Sequence, residues 1–348
     1  MSTKHGPPVL VITSGDPCGI GPEILLKALA TPLPQGIRVV IVGDLAVFEE
    51  TASRLRRRLP RWEAVGPDDR LPRRGSPCLF VDLGHRKRFQ PGHSGEAAGE
   101  ASAAYLDVAV ACWRREAVDA LVTAPVTKWA IEQARGRFIG QTEYFAEAFG
   151  VPFPVMMFVS PSLRVVLATR HVALRQVSGR LTRELMRRTM RVTVDGLRHW
   201  FGIRRPRLAV CGINPHAGER GGCGDEERRV LQPILRDVKR SGVRVHGPVA
   251  ADAFFATLTA TGGDGNRYDA VMCWYHDQGL IPFKLLARDE GCQLTLGLPV
   301  ARTSPHHGSA LDIAGKDIAH PGSMRYAIEL AATLVKRGMA DVHQNRVA

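Results

Sequence analysis

Residues Val9 to Glu23 read VLVITSGDPCGIGPE, and the punctuation of this stretch decides the fold class. Val9 to Thr13 is a short run of apolar and β-branched residues with no polar alternation. Such continuity fits a strand covered on both faces, as in a largely parallel sheet. The glycines at positions 15, 19 and 21 then turn the chain, and a helix opens at Pro22-Glu23. Glycines in this position also let a ligand approach the backbone closely, so Gly19 and Gly21 are candidate cofactor contacts. The stretch is neither GxGxxG nor a Walker loop, so the usual dinucleotide fingerprint is absent.

The same alternation continues outward along the chain. Further strands are expected at Arg38–Val42, Leu79–Leu83, Ala120–Thr123, Arg164–Ala168, Arg207–Cys211 and Ala270–Trp274. Amphipathic segments lie between them, among them Arg183–Trp200, for which Thr182 is the expected N-cap. Strand and helix in alternation give an α/β layered protein. The Arg/Pro-rich stretch Arg54–Pro77 and the Gly-rich Thr261–Arg267 read as surface loops.

Four of these strands run into polar clusters: Pro125-Val126-Thr127-Lys128, Arg170-His171, Ile213-Asn214-Pro215-His216, and Tyr275-His276-Asp277-Gln278-Gly279. Ligands of open α/β sheets bind outside the carboxyl ends of strands, so these clusters are expected to converge. His171, His216 and His276 then become candidate ligands of a zinc-like ion. Taken one at a time, each histidine reads more readily as a hydrogen-bonded structural residue. Lys128, Lys284 and Arg302 are the fixed cations that a phosphate or carboxylate substrate would need.

Composition narrows the function classes. With 348 residues, 45% of them hydrophobic, the chain can bury a sizeable core. The N-terminal segment lacks a signal peptide's pattern, and no apolar run approaches bilayer length. The expectation is a soluble, cytoplasmic protein without a membrane partner. The cysteines number 7 and include no CxxC pair, which argues against both a disulfide framework and a cysteine zinc site. A net charge of +13 invites a nucleic-acid reading. The basic residues are spread along the chain, however, and aromatics for base stacking are only 6%. A surface attractive to small anions, with no nucleic-acid partner, is the expectation.

The motifs GDPCGIGPEI, TAPVTK, GQTEYFAE, INPHAGE, GDEE, YHDQG and GLPVARTSPHHGSALDIAG occur in one order between about Val9 and Leu334. In that order they resemble the 4-hydroxythreonine-4-phosphate dehydrogenase (PdxA) family. The first Gly-rich loop and His307–Gly315 also resemble the wider isopropylmalate and isocitrate dehydrogenases. The resemblance implies a two-domain isocitrate/isopropylmalate dehydrogenase-like α/β fold with a central cleft. The expected domains are 1–128 with 300–348, and 129–299.

It also implies NAD, one divalent metal (Zn, Co or Mg) held by His171, His216 and His276, and a homodimer with the metal near the subunit interface. Gln141, Thr142, Lys284, Gln293 and Arg302 fall at substrate positions. His307, Gly308 and Asp312 fall on the segment holding the adenosine end of the cofactor, where an aspartate favours NAD over NADP. The implied reaction oxidises 4-phosphooxy-L-threonine to 2-amino-3-oxo-4-phosphooxybutanoate, which decarboxylates, in pyridoxal phosphate biosynthesis. Asp252, Asp277 and Lys284 are the candidates for moving the proton. Two positions depart from the family: Gln141 stands where histidine is usual, and Gln293 where asparagine is usual. Both leave room for a sister enzyme acting on threonate or erythronate 4-phosphate, or on an aromatic cis-dihydrodiol.

Overall fold

The computed structural model describes residues 7–69, 71, 75–85, 87–115, 118–258 and 267–344. Of the Gly-rich loop expected at Thr261–Arg267, all but Arg267 lies outside the described residues, as do Arg73 and Arg74 of the Arg/Pro-rich stretch. The chain forms two compact units, 1–152 with 298–348, and 153–297. Residues 129–152, expected from sequence in the second domain, lie with the first.

In the first unit β1 (Val9–Thr13) sits between β2 (Arg38–Gly43) and β5 (Ala120–Thr123). Outside β2 come β4 (Cys78–Asp82) and the short edge strand β3 (Glu63–Val65); β12 (Ala301–Pro305) flanks β5. All of these pairings are parallel. Leu10, Val11 and Ile12 have no exposed surface, as the unbroken apolar run requires. Helices α1 (Gly21–Leu29), α2 (Leu45–Arg54), α3 (Glu96–Arg114), α4 (Lys128–Arg135), α5 (Gln141–Ala148) and α11 (Gly322–Gln344) belong to this unit.

In the second unit the strand order is β11 (Cys292–Leu296), β6 (Val155–Val159), β7 (Arg164–Leu167), β10 (Ala270–Cys273), β8 (Arg207–Cys211), β9 (Arg244–Val249). Strand β6 runs antiparallel to both neighbours. It turns into β7 through Ser160–Leu163, where Ser160 Oγ accepts from the Leu163 amide and donates to its carbonyl. Helices α6 (Leu174–Arg180), α7 (Arg183–Phe201), α8 (Gln232–Arg240), α9 (Ala251–Thr257) and α10 (His276–Ala287) complete the unit. Thr182 caps α7 as expected, its side chain accepting from the Leu185 amide at 3.2 Å. Among the described residues no helix is long and apolar enough to cross a membrane.

Candidate active-site residues

Strands β7, β10 and β8 are parallel neighbours, so their carboxyl ends share one edge of the second unit. That edge carries His171, His276 and His216. The strand ends are tied together below them. Thr169 Oγ1 donates to the Trp274 carbonyl at 2.6 Å, Trp274 Nε1 to the Cys211 carbonyl at 2.5 Å, and Gln278 Nε2 to the Gly212 carbonyl at 2.6 Å. The rings of His171 and His276 lie 6.2 Å apart, and His276 Nδ1 is 2.6 Å from Asp277 Oδ1.

His216 opens a left-handed turn, with φ of 52°, 51°, 80°, 41° and 57° from His216 to Arg220. Each non-glycine residue there costs about 1–2 kcal/mol. The buried Glu227 offsets this by accepting from the Ile213 and Asn214 amides, both at 2.7 Å, and from Asn214 Nδ2 at 3.0 Å. Hydrogen bonds to a charged acceptor contribute about 1.5–3 kcal/mol each, enough to hold the turn. Glu227 belongs to the GDEE motif, yet its anchoring role was not evident from spacing.

Imidazole nitrogens suit zinc or cobalt. Among the described residues, however, no three His, Cys, Asp or Glu side chains of this chain are placed to hold a metal ion together. One chain brings together two of the three expected ligands and does not close the site.

Of the other candidates in this unit, Lys284 is exposed on α10, eight residues beyond His276. Asp252 is exposed in the first turn of α9. Gln293 lies on β11, its Nε2 donating to Thr295 Oγ1 at 3.5 Å.

The first unit holds a second cluster, around Arg302. This residue is 2% exposed on β12, and its guanidinium donates to Thr123 Oγ1 at 2.5 Å, Gln141 Oε1 at 2.9 Å and Thr142 Oγ1 at 3.4 Å. Burial pushes the Arg302 pKa down to about 10, partly countered by Glu143, so the group is still a cation at neutral pH. Gln141 and Thr142 are the first residues of α5, and the start of a helix carries partial positive charge. Buried guanidinium, hydroxyl and helix start together suit a carboxylate or phosphate. Thr123, the last residue of β5, is a member of this cluster that sequence reading missed.

The expected cofactor segment docks on the first Gly-rich loop. The Ile20 amide donates to the Ser309 carbonyl at 2.9 Å, and Thr127 Oγ1 donates to Ser309 Oγ at 2.9 Å. His307 Nδ1 lies 3.1 Å from the Gly308 carbonyl, and Gly308 and Asp312 are exposed. Gly19 and Gly21 have a different explanation from the one expected. A Cβ on Gly19 would stand 2.9 Å from the Ser309 carbonyl oxygen, and one on Gly21 would stand 2.2 Å from that of Ser14. These glycines make room for the chain's own backbone, which accounts for them without a ligand.

The family model for the pyridoxal phosphate biosynthetic protein PdxA matches residues 35–331. The chain belongs to the PdxA family. It is 43% identical to the 4-hydroxythreonine-4-phosphate dehydrogenase of Synechococcus sp. (strain JA-2-3B'a(2-13)), over 94% of this chain and 97% of the relative. A crystal structure of 4-hydroxythreonine-4-phosphate dehydrogenase from Klebsiella pneumoniae has a similar fold, with 34% identity and a TM-score of 0.79, covering 94% of this chain and 99% of that one. A terephthalate 1,2-cis-dihydrodiol dehydrogenase from Burkholderia xenovorans LB400 is 32% identical with a TM-score of 0.62, covering 93% and 97%. The proteins this chain is similar to thus carry more than one substrate in their names.

Proposed function

We propose that this chain is an NAD-dependent dehydrogenase that oxidises 4-phosphooxy-L-threonine to 2-amino-3-oxo-4-phosphooxybutanoate, which then loses carbon dioxide, in pyridoxal phosphate biosynthesis. The observation that carries the reading is the 43% identity to a 4-hydroxythreonine-4-phosphate dehydrogenase over nearly the full length of both chains. The buried Arg302 cluster supports it, because a phosphorylated amino acid offers the anionic groups such a site would hold.

In this reading Arg302 and Thr142 fix an anionic group of the substrate, and Lys284 adds an exposed ammonium. NAD, when bound, would supply the hydride acceptor, and a base of this chain would receive the hydroxyl proton of the substrate. Asp252, Asp277 and Lys284 remain the candidate proton acceptors. Of these, Asp277 is hydrogen-bonded to His276, so its carboxylate is oriented and already engaged. The exposed Asp312 would accept from the ribose hydroxyls of the cofactor and so favour NAD.

The proposal includes a divalent metal at His171 and His276 and a homodimer in which the partner completes the ligand set with its copy of the third histidine. Among the described residues of one chain, no three such side chains are placed to hold the ion.

The second reading is a sister dehydrogenase, favoured by Gln141 and Gln293 and by the likeness to the dihydrodiol enzyme. Initial rates of NADH formation separate the two when 4-phosphooxy-threonine, the 4-phosphates of threonate and erythronate, and a terephthalate cis-dihydrodiol are compared. The proposed function predicts the highest kcat/KM with 4-phosphooxy-threonine. A higher value with any other substrate overturns it.

A further inference from the structure

The side chain of Gln141 is used at both ends. Its Oε1 accepts from Arg302 Nη2 at 2.9 Å, and its Nε2 donates to the Ala124 carbonyl at 3.0 Å. These partners fix the amide orientation, since the reverse rotamer would set N–H against a guanidinium and oxygen against a carbonyl oxygen. Arg302 is simultaneously held by Thr123 on β5 and by Thr142 on α5, with the Phe145 ring 5.7 Å from its guanidinium carbon. Gln141 therefore connects three elements, β12, α5 and the turn after β5, through the one buried cation among them.

We propose that Gln141 is a positioning residue that holds the Arg302 guanidinium for an anionic substrate without neutralising it, and that its uncharged amide makes this hold independent of pH. The inference rests on the proposed function for the identity of the substrate, but the geometry behind it does not. A residue at position 141 must present an acceptor to Arg302 and a donor to the Ala124 carbonyl. A neutral imidazole can do both; an imidazolium turns its acceptor into a second cation beside Arg302. A carboxylate presents the acceptor but pairs with the guanidinium, competes with the substrate anion, and has no donor for Ala124. Protonated, it regains the hydrogen-bonding pattern of glutamine. The other charged groups here are Glu143, two residues along α5 and acting electrostatically on Arg302, and Lys128 of α4, whose Nζ lies 3.4 Å from where a Cβ on Gly140 would be.

The two substitutions therefore have pH dependences of opposite sign. The test measures kcat and KM for 4-phosphooxy-threonine with the full-length, metal-reconstituted protein and NAD from pH 5 to pH 8.5, each variant expressed relative to wild type. In these ratios the titrations of substrate and shared groups cancel. For Gln141→Glu, KM is expected to rise about tenfold or more at pH 8 with kcat within about threefold, and the defect should shrink as the pH falls. For Gln141→His, kcat/KM relative to wild type is expected to fall severalfold from pH 8 to pH 5. Ratios that are flat with pH in both variants, or that move in the same direction, overturn the inference.

Thermal unfolding supplies an arm that needs no substrate. Gln141→Glu adds a counter-charge beside buried Arg302, where Glu143 already acts, and removes the donor to the Ala124 carbonyl. Both changes switch with protonation of the new carboxyl, so the Tm difference from wild type should change between pH 8 and pH 5. A Tm difference that stays constant over that range contradicts the placement of Gln141 against Arg302. Absence of turnover by the wild-type protein counts against the proposed function alone, and the Tm arm still decides the inference.

Discussion

Arg302 is 2% exposed, and its guanidinium donates to neutral oxygens of Thr123, Gln141 and Thr142 while Glu143 acts on it electrostatically. Neutral acceptors solvate a guanidinium without cancelling it, which leaves the charge available to an incoming anion. Replacing Arg302 by lysine keeps the charge and loses the fork that reaches these partners. Steady-state kinetics of Arg302→Lys should show KM for the phosphorylated substrate raised at least about tenfold; an unchanged KM contradicts the anchoring role. A second prediction concerns Asp312, whose carboxylate would accept from ribose hydroxyls and repel a 2′-phosphate. Asp312→Lys should raise the ratio of kcat/KM with NADP to that with NAD, and a constant ratio would remove Asp312 from cofactor choice. Arg302 was read from sequence as a cation that an anionic substrate would need, whereas Thr142 and Gln141 stood out only through the family motif, because lone polar residues are usually solvated. Thr123 was not legible at all, since its part depends on the register of β5 against β12.

At the scale of elements, the central strands announced themselves and the others did not. β1, β5 and β8 begin and end where their apolar runs do, at Val9–Thr13, Ala120–Thr123 and Arg207–Cys211. Each is buried on both faces, so hydrophobicity alone outlines it. β6, the fully buried VMMFV at Val155–Val159, carries that signal and was still passed over, whereas β3, β9 and β12 lack it. β3 is a three-residue edge strand, and β9 is an edge strand interrupted by Gly247-Pro248. β12, reading ARTSP, is polar yet fully buried, because its side chains serve the Arg302 cluster and a hydrogen bond from Thr303 Oγ1 to the Ala327 carbonyl on α11. The turn from β1 into α1 was read correctly, and its glycines, read from sequence as cofactor contacts, are also needed for packing against the chain's own backbone. Gly21→Ala tests the packing explanation: a Cβ 2.2 Å from the Ser14 carbonyl oxygen should cost about 1–3 kcal/mol of stability in denaturant unfolding. Unaltered stability together with weakened NAD binding would return Gly21 to the cofactor.

For the whole molecule, the division into two units places the anion cluster in one and the histidine edge in the other. The histidine edge offers two neighbouring imidazoles within a chain and no closed three-ligand set among the described residues. If a second copy completes that set, metal retention and dimerisation are linked: whatever binds only the dimer stabilises it by mass action. Analytical ultracentrifugation across a dilution series should then show weaker dimerisation after chelation, with recovery on adding zinc. Equal dimerisation with and without metal contradicts shared ligation.

The central claim is oxidation of 4-phosphooxy-threonine followed by loss of its carboxyl group. Its most direct measurement follows NADH and carbon dioxide together from that substrate, using the metal-reconstituted protein with NAD in excess. The account predicts equal final yields of the two, with carbon dioxide never ahead of NADH, because the keto group must form before the carboxyl can leave. NADH without carbon dioxide, or neither product at any metal loading, would contradict it.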